Sequence, residues 1–283
     1  MTQSSILAFF KDVDSSSVLS LAGNQIIAPT VQGTDLTGEE MAMGGGLRIV
    51  IHAIDASPSM SPVREAVLNG FGKSYIEAIK EARQDDVSAL RLGGIVFSSS
   101  ITQIWKKKKV AFHPVEELPP LERKDYDPDN GCGTALHQSI IEAYNLALQY
   151  AAEVAANTGI QPEIDVVVLT DGMNNTAPYD KDVIQKLIKG SKKDLVRFVF
   201  FYFETEEGAV ESDDEDINPL KIAKALGFDT ENTMVFEKKP GESEAEQKSR
   251  FRRMMRVMSR VSASKGTSAV VAAAAVQAEE EIV

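Results

Sequence analysis

Leu47-Arg48-Ile49-Val50-Ile51-His52-Ala53-Ile54 runs directly into Asp55-Ala56-Ser57-Pro58-Ser59-Met60, and this join decides the fold. The first eight residues are largely apolar, as a parallel strand covered on both faces must be. Pro62 then opens a helical pattern to about Arg83, with Val63, Val67, Phe71, Tyr75, Ile79 and Ala82 near helical spacing. One carboxylate and two hydroxyls therefore lie on a loop between a strand end and a helix start. Ligands of open α/β sheets collect at that edge. Asp-x-Ser-x-Ser on its own also suits a solvated loop that caps a helix, so the rest of the chain must decide.

The chain has 283 residues, of which 43% are hydrophobic, enough for one large core with extensions. A formal charge of −12 argues against a nucleic-acid binder, which needs a basic face. A single cysteine, Cys132, excludes an internal disulfide framework. No apolar run approaches the roughly 20 residues that span a bilayer, and a secretory signal is not expected, since the first residues lack a basic start followed by an apolar core. The expected location is cytoplasmic, with neither nucleic acid nor membrane as partner.

Residues 1–46 read as an N-terminal arm, 47–261 as the domain and 262–283 as a flexible, Ser/Ala/Val-rich and then acidic tail. Within the domain, strands are expected at 89–97, 101–105, 110–112, 164–172, 195–203 and 233–236. Helices are expected near 135–156, 180–189, 219–226 (with Gly227 as its C-cap) and 242–261. The direct step from one strand to the next after Phe97 predicts an antiparallel edge. Lys106–Lys109 suits protection of such an edge. The fold class is thus α/β, a doubly wound, mostly parallel Rossmann-like sheet with one antiparallel edge strand.

Three loops at the carboxyl edge carry hard oxygen donors: Asp55, Ser57 and Ser59; Thr134; and Asp171, at the end of the central strand that begins at Ile164. Parallel strands place all three on one side. Two carboxylates and three hydroxyls without His or Cys suit Mg²⁺ or Mn²⁺. A coordination position left free would admit an incoming carboxylate.

Asp55-Ala56-Ser57-Pro58-Ser59, Thr134 and Asp171-Gly172 resemble the metal-ion-dependent adhesion site of von Willebrand factor A domains, over about Leu47–Val261. Pro58 stands where that family often has glycine. The resemblance implies that Ser57 and Ser59 give hydroxyl oxygens to the metal and that Thr134 engages when ligand binds. It implies that Asp55 and Asp171 bind directly or through water, and that a partner's Asp or Glu completes the shell. Phe251–Ser264 is similar to the last helix of bacterial tellurium-resistance-associated members, which implies kinase or phosphatase partners in stress or defence complexes.

Three function classes follow. One is a protein-interaction module without chemistry of its own. The second is a subunit of a larger assembly in which the metal only braces a loop. The third, a metal-dependent phosphoryl-transfer or hydrolytic enzyme, needs an activated nucleophile or a positioned base. His137 and Cys132 are the nearest candidates, and a helix-capping histidine and a small loop residue are the plainer readings. Phosphate-loop and nucleophile-elbow motifs are missing. A non-enzymatic module is the expectation. Asp213–Asp216 lacks the alternation of a calcium loop and reads as a solvated connection.

Overall fold

The computed structural model describes residues 46–82, 89–105, 111–172, 174–176, 181–205, 218–264 and 266–282. The arm up to residue 45, the lysine run at 106–109 and the acidic run at 213–216 lie outside the described residues.

Seven strands form one sheet: β1 (Leu47–Asp55), β2 (Ala89–Phe97), β3 (Ile101–Ile104), β4 (His113–Pro114), β5 (Glu163–Thr170), β6 (Val196–Phe203) and β7 (Thr233–Phe236). Their order is β3-β2-β1-β5-β6-β7, with β4 also paired to β2. Strands β2, β1, β5, β6 and β7 are parallel, and β3 and β4 run antiparallel on the β2 edge. The expected strand at 110–112 instead forms at His113–Pro114, after Ala111 and Phe112 have been buried. All nine residues of β1 are buried, which explains its unbroken apolar reading.

Alternation along the strands divides the core into two layers. Ile49, Ile51, Ala53, Val166, Val168, Phe198 and Phe200 face helices α3 (Leu136–Thr158), α4 (Lys181–Gly190) and α5 (Pro219–Leu226). Val50, Ile54, Val167, Leu169, Phe201 and Phe203 face α1 (Arg64–Gly70), α2 (Lys73–Ala82), α6 (Glu244–Ala263) and α7 (Ala269–Ile282). The sheet is therefore doubly wound and covered on both faces, as the alternating strands and helices require. The methionine stripe of α6 is core: Met254, Met255 and Met258 are buried. Ser243 and Glu246 close a capping box at its start, and Gly227 ends α5 in the left-handed region at φ +98°.

Two further expectations are corrected. The single helix at 62–83 is a 3₁₀ segment (Pro58–Val63), then α1, then α2. The break falls at Phe71-Gly72, where the Phe71 carbonyl accepts from Leu121 N–H at 3.4 Å. The expected flexible tail is α7. Its Ala269, Ala272 and Val276 repeat at helical spacing and are buried in the core, so small side chains bring the helix close to the domain. Alanine is also the best helix former. The acidic end pairs with α6 through Arg253–Glu280, Arg256–Glu280 and Arg260–Glu279.

Polar residues inside the second layer tie α6 to the sheet. Asp165 receives Arg48 at 2.5 Å and Arg197 at 2.7 and 2.8 Å, and Arg197 also donates to the Val261 and Thr267 carbonyls. The two guanidiniums hold the Asp165 carboxyl below its ordinary range despite burial. Nearer the middle of β1, His52 Nε2 lies 2.7 Å from the Tyr75 hydroxyl, which lies 3.0 Å from Ser262 Oγ.

Candidate metal centre

In the strand order, β1 has β2 on one side and β5 on the other, so the chain reverses its winding between β1 and β5. Such a switch point opens a crevice at the carboxyl ends of the two strands. Asp55 ends β1 and Asp171 follows β5 directly, which places both carboxylates at this crevice. Both are completely buried.

Asp55 Oδ1 accepts from Ser57 N–H at 2.7 Å, which turns the chain sharply after β1, and its Oδ2 accepts from Thr170 Oγ1 at 2.5 Å. Ser57 Oγ lies 3.0 Å from Ser59 Oγ, and Ser59 Oγ donates to Asp171 Oδ1 at 2.8 Å. Thr205, beyond β6, donates to Asp171 Oδ2 at 2.6 Å. Asp55, Ser57, Ser59 and Asp171 thus belong to one continuous polar group spanning the two loops. Thr134 is 3% exposed, and its Oγ1 lies 3.7 Å from where a Cβ on Gly172 would stand. All five sequence-predicted residues are brought to this edge.

The loop carrying Thr134 is fixed from three sides. Thr134 N–H donates to Asn175 Oδ1 at 2.6 Å, and the Thr134 carbonyl accepts from Asn175 N–H at 3.1 Å. Ala135 N–H donates to the Ser98 carbonyl at 2.7 Å. Gly131 crosses the Asp55–Ser59 loop so closely that a Cβ there would lie 2.3 Å from the Ala56 carbonyl oxygen. Arg64 pairs with Asp129 and Asp127, holding residues 127–130 against the start of α1.

Burial pushes the Asp55 carboxyl up to about 7, and the neighbouring Asp171 carboxylate adds to the rise. The hydroxyls of Thr170, Ser59 and Thr205 and the Ser57 amide are neutral donors. They lower the cost of burying two acids without cancelling the charge. A divalent cation would supply the balancing charge, and the donor set of carboxylate and hydroxyl oxygens fits Mg²⁺ or Mn²⁺. Among the described residues, no three His, Cys, Asp or Glu side chains gather into a group able to hold a metal. A cation here would therefore depend on the hydroxyls.

Thr170, Thr205 and Asn175 are not among the residues the sequence points to. Thr170 adjoins the predicted Asp171 and was readable as its strand neighbour. Thr205 and Asn175 act across the fold and carry no local signal. His137 occupies the first turn of α3, where its N–H donates to Asn174 Oδ1 at 3.1 Å. Cys132 is exposed, with Sγ 2.9 Å from Ser99 Oγ.

No family model and no curated protein matches the chain in sequence. Similar solved structures include proximal thread matrix protein 1 from the mussel byssus, 12% identical over 73% of this chain and 46% of that one, with a TM-score of 0.46. Another is a von Willebrand factor type A structure from Catenulispora acidiphila, 16% identical over 77% and 43%, with a TM-score of 0.43. A third is the ArnB paralog VWA2 from Sulfolobus acidocaldarius, 14% identical over 73% and 44%, with a TM-score of 0.40. The chain spans less than half the length of each.

Proposed function

We propose that the chain is a divalent-cation-dependent protein-interaction module that binds a partner's exposed Asp or Glu at this edge and performs no chemistry of its own. The supporting observation is the polar group that joins Ser57, Ser59 and Asp171 across the two switch-point loops, with Asp55 buried beside it. Ser57, Ser59, Thr134, Asp55 and Asp171 would hold Mg²⁺ or Mn²⁺. The cation supplies a positive charge that attracts a carboxylate. Thr170 and Thr205 keep the two aspartates oriented, and Asn175 holds the Thr134 loop. The start of α3, two residues beyond Thr134, is the element through which a shift of Thr134 would spread. The likeness of Phe251–Ser264 to tellurium-resistance-associated proteins supports a bacterial stress or defence complex as the setting, with kinase or phosphatase partners.

The test is affinity co-purification from the native host in Mg²⁺ and in EDTA, with wild type, Asp55→Ala and Thr134→Ala. A partner lost in EDTA and with both variants is the expected result. A second reading, a subunit whose cation only braces the loops, draws on the fact that both oxygens of Asp55 and of Asp171 already have donors within the protein. In that case the partner is retained in EDTA and by Thr134→Ala.

A further inference from the structure

Tyr126 lies on the long connection between β4 and α3, just before the 3₁₀ turn Pro128–Asn130. Its side chain is completely buried in the layer that includes Ala56, Met60 and Val63. A phenol in such a place normally has a hydrogen-bond partner, because an unpaired buried hydroxyl carries a desolvation cost. The Tyr126 hydroxyl has none in the structure. The charged groups that act on it are Asp55, Asp171 and Arg64, and burial with the two carboxylates pushes the phenol well above its ordinary value. The connection that carries Tyr126 runs against the Asp55–Ser59 loop, where Gly131 meets the Ala56 carbonyl and Arg64 holds Asp127 and Asp129, while the carboxylate oxygens of the candidate cation site are engaged by Ser57, Ser59, Thr170 and Thr205.

Its surroundings make this placement firm. The backbone on either side is tied down: Tyr126 N–H donates to the Glu122 carbonyl at 3.1 Å, and Arg64 holds Asp127 and Asp129. Gly131 then passes against Ala56. The ring cannot swing out to water without undoing these contacts.

Resting on the cation reading above, we infer that Tyr126 is a positioning residue of the metal site, whose hydroxyl gains its hydrogen-bond partner from the hydrated cation when that ion is bound. The hydroxyl orients the ion's water and touches neither the partner protein nor the ion. Outer partners of this kind affect metal affinity strongly even though they do not ligate.

The opposite signs in the two states make the inference testable. Full-length wild type and Tyr126→Phe are titrated with Mn²⁺, with free ion followed by electron paramagnetic resonance, and thermal midpoints are read in chelator. Tyr126→Phe should weaken Mn²⁺ binding roughly tenfold. It should leave the chelated midpoint unchanged or raised, since an unpaired hydroxyl is removed. Tyr144→Phe, which alters a buried hydroxyl paired with Ser191 far from the site, should lower the chelated midpoint and leave Mn²⁺ binding intact. If wild type takes up no Mn²⁺, the cation reading falls and this inference with it. If wild type binds and Tyr126→Phe binds equally well, the inference alone is overturned. A lowered chelated midpoint for Tyr126→Phe also overturns it, because the hydroxyl then has a partner within the protein.

Discussion

Acid should destabilise this protein through one histidine, and the size of the effect can be worked from its surroundings. His52 is fully buried on β1, edge-on to Phe71, Tyr75 and Trp105 with ring centroids 5.5 to 6.1 Å away. Burial lowers its imidazole from 6.5 to about 4, against the smaller opposing pull of the Gly93 carbonyl and the Asp165 carboxylate. The unfolded chain therefore takes up the proton first. The stability held by neutral His52 is complete above about pH 6.5 and is lost as pH falls toward about 4. That lowering corresponds to about 3 kcal/mol, most of which is already lost at about pH 4.5. His52→Leu removes this titration and leaves the Tyr75–Ser262 hydrogen bond in place. Urea unfolding of both proteins, followed by the single tryptophan, Trp105, would be measured from about pH 7.5 to about pH 4.5. Wild type should lose about 2–3 kcal/mol more than the variant over that interval. Parallel pH profiles would refute the reasoning, since His52 would then be protonated without cost in the folded protein.

Asp165→Ala strands the buried Arg48 and the half-buried Arg197 and should cost about 3–5 kcal/mol in chemical denaturation, whereas replacing Arg48, Asp165 and Arg197 together with apolar residues should cost less. Gly131→Ala forces the Thr134 loop off Ala56; a loss of about 1–3 kcal/mol in thermal unfolding is expected, with weaker Mn²⁺ uptake. Thr205→Val leaves one oxygen of Asp171 without its hydroxyl donor; calorimetry in chelator should show a loss of about 1–3 kcal/mol, unlike Thr205→Ser, which keeps the donor.

The strands were legible because most are buried on both faces and spell themselves as apolar runs. Residues 89–97 and 233–236 coincide with β2 and β7, and Leu195–Phe203 overshoots β6 by one residue. Helix interruptions were less legible. Gly70 and Gly72 are the local signal for the break between Pro62 and Arg83, but nothing local announces that a loop residue fifty positions later, Leu121, takes the Phe71 carbonyl. The last helix was misread because alanine and valine in a low-complexity setting resemble a linker, and because the arginines that engage its glutamates lie on α6. The five candidate ligands were readable because each follows a strand or precedes a helix. Their supports were not. Thr205 reaches Asp171 from beyond the next strand, and Tyr126 comes from an irregular connection whose packing no periodicity encodes.

The exposed thiol beside Ser99 has a practical consequence. Cys132 is the chain's single cysteine and stands two residues from Thr134. A fluorophore or spin label attached there reports on the rim of the crevice without any background from other thiols. Luminescence or distance changes on adding an ion or a carboxylate peptide would then be read directly from the native sequence.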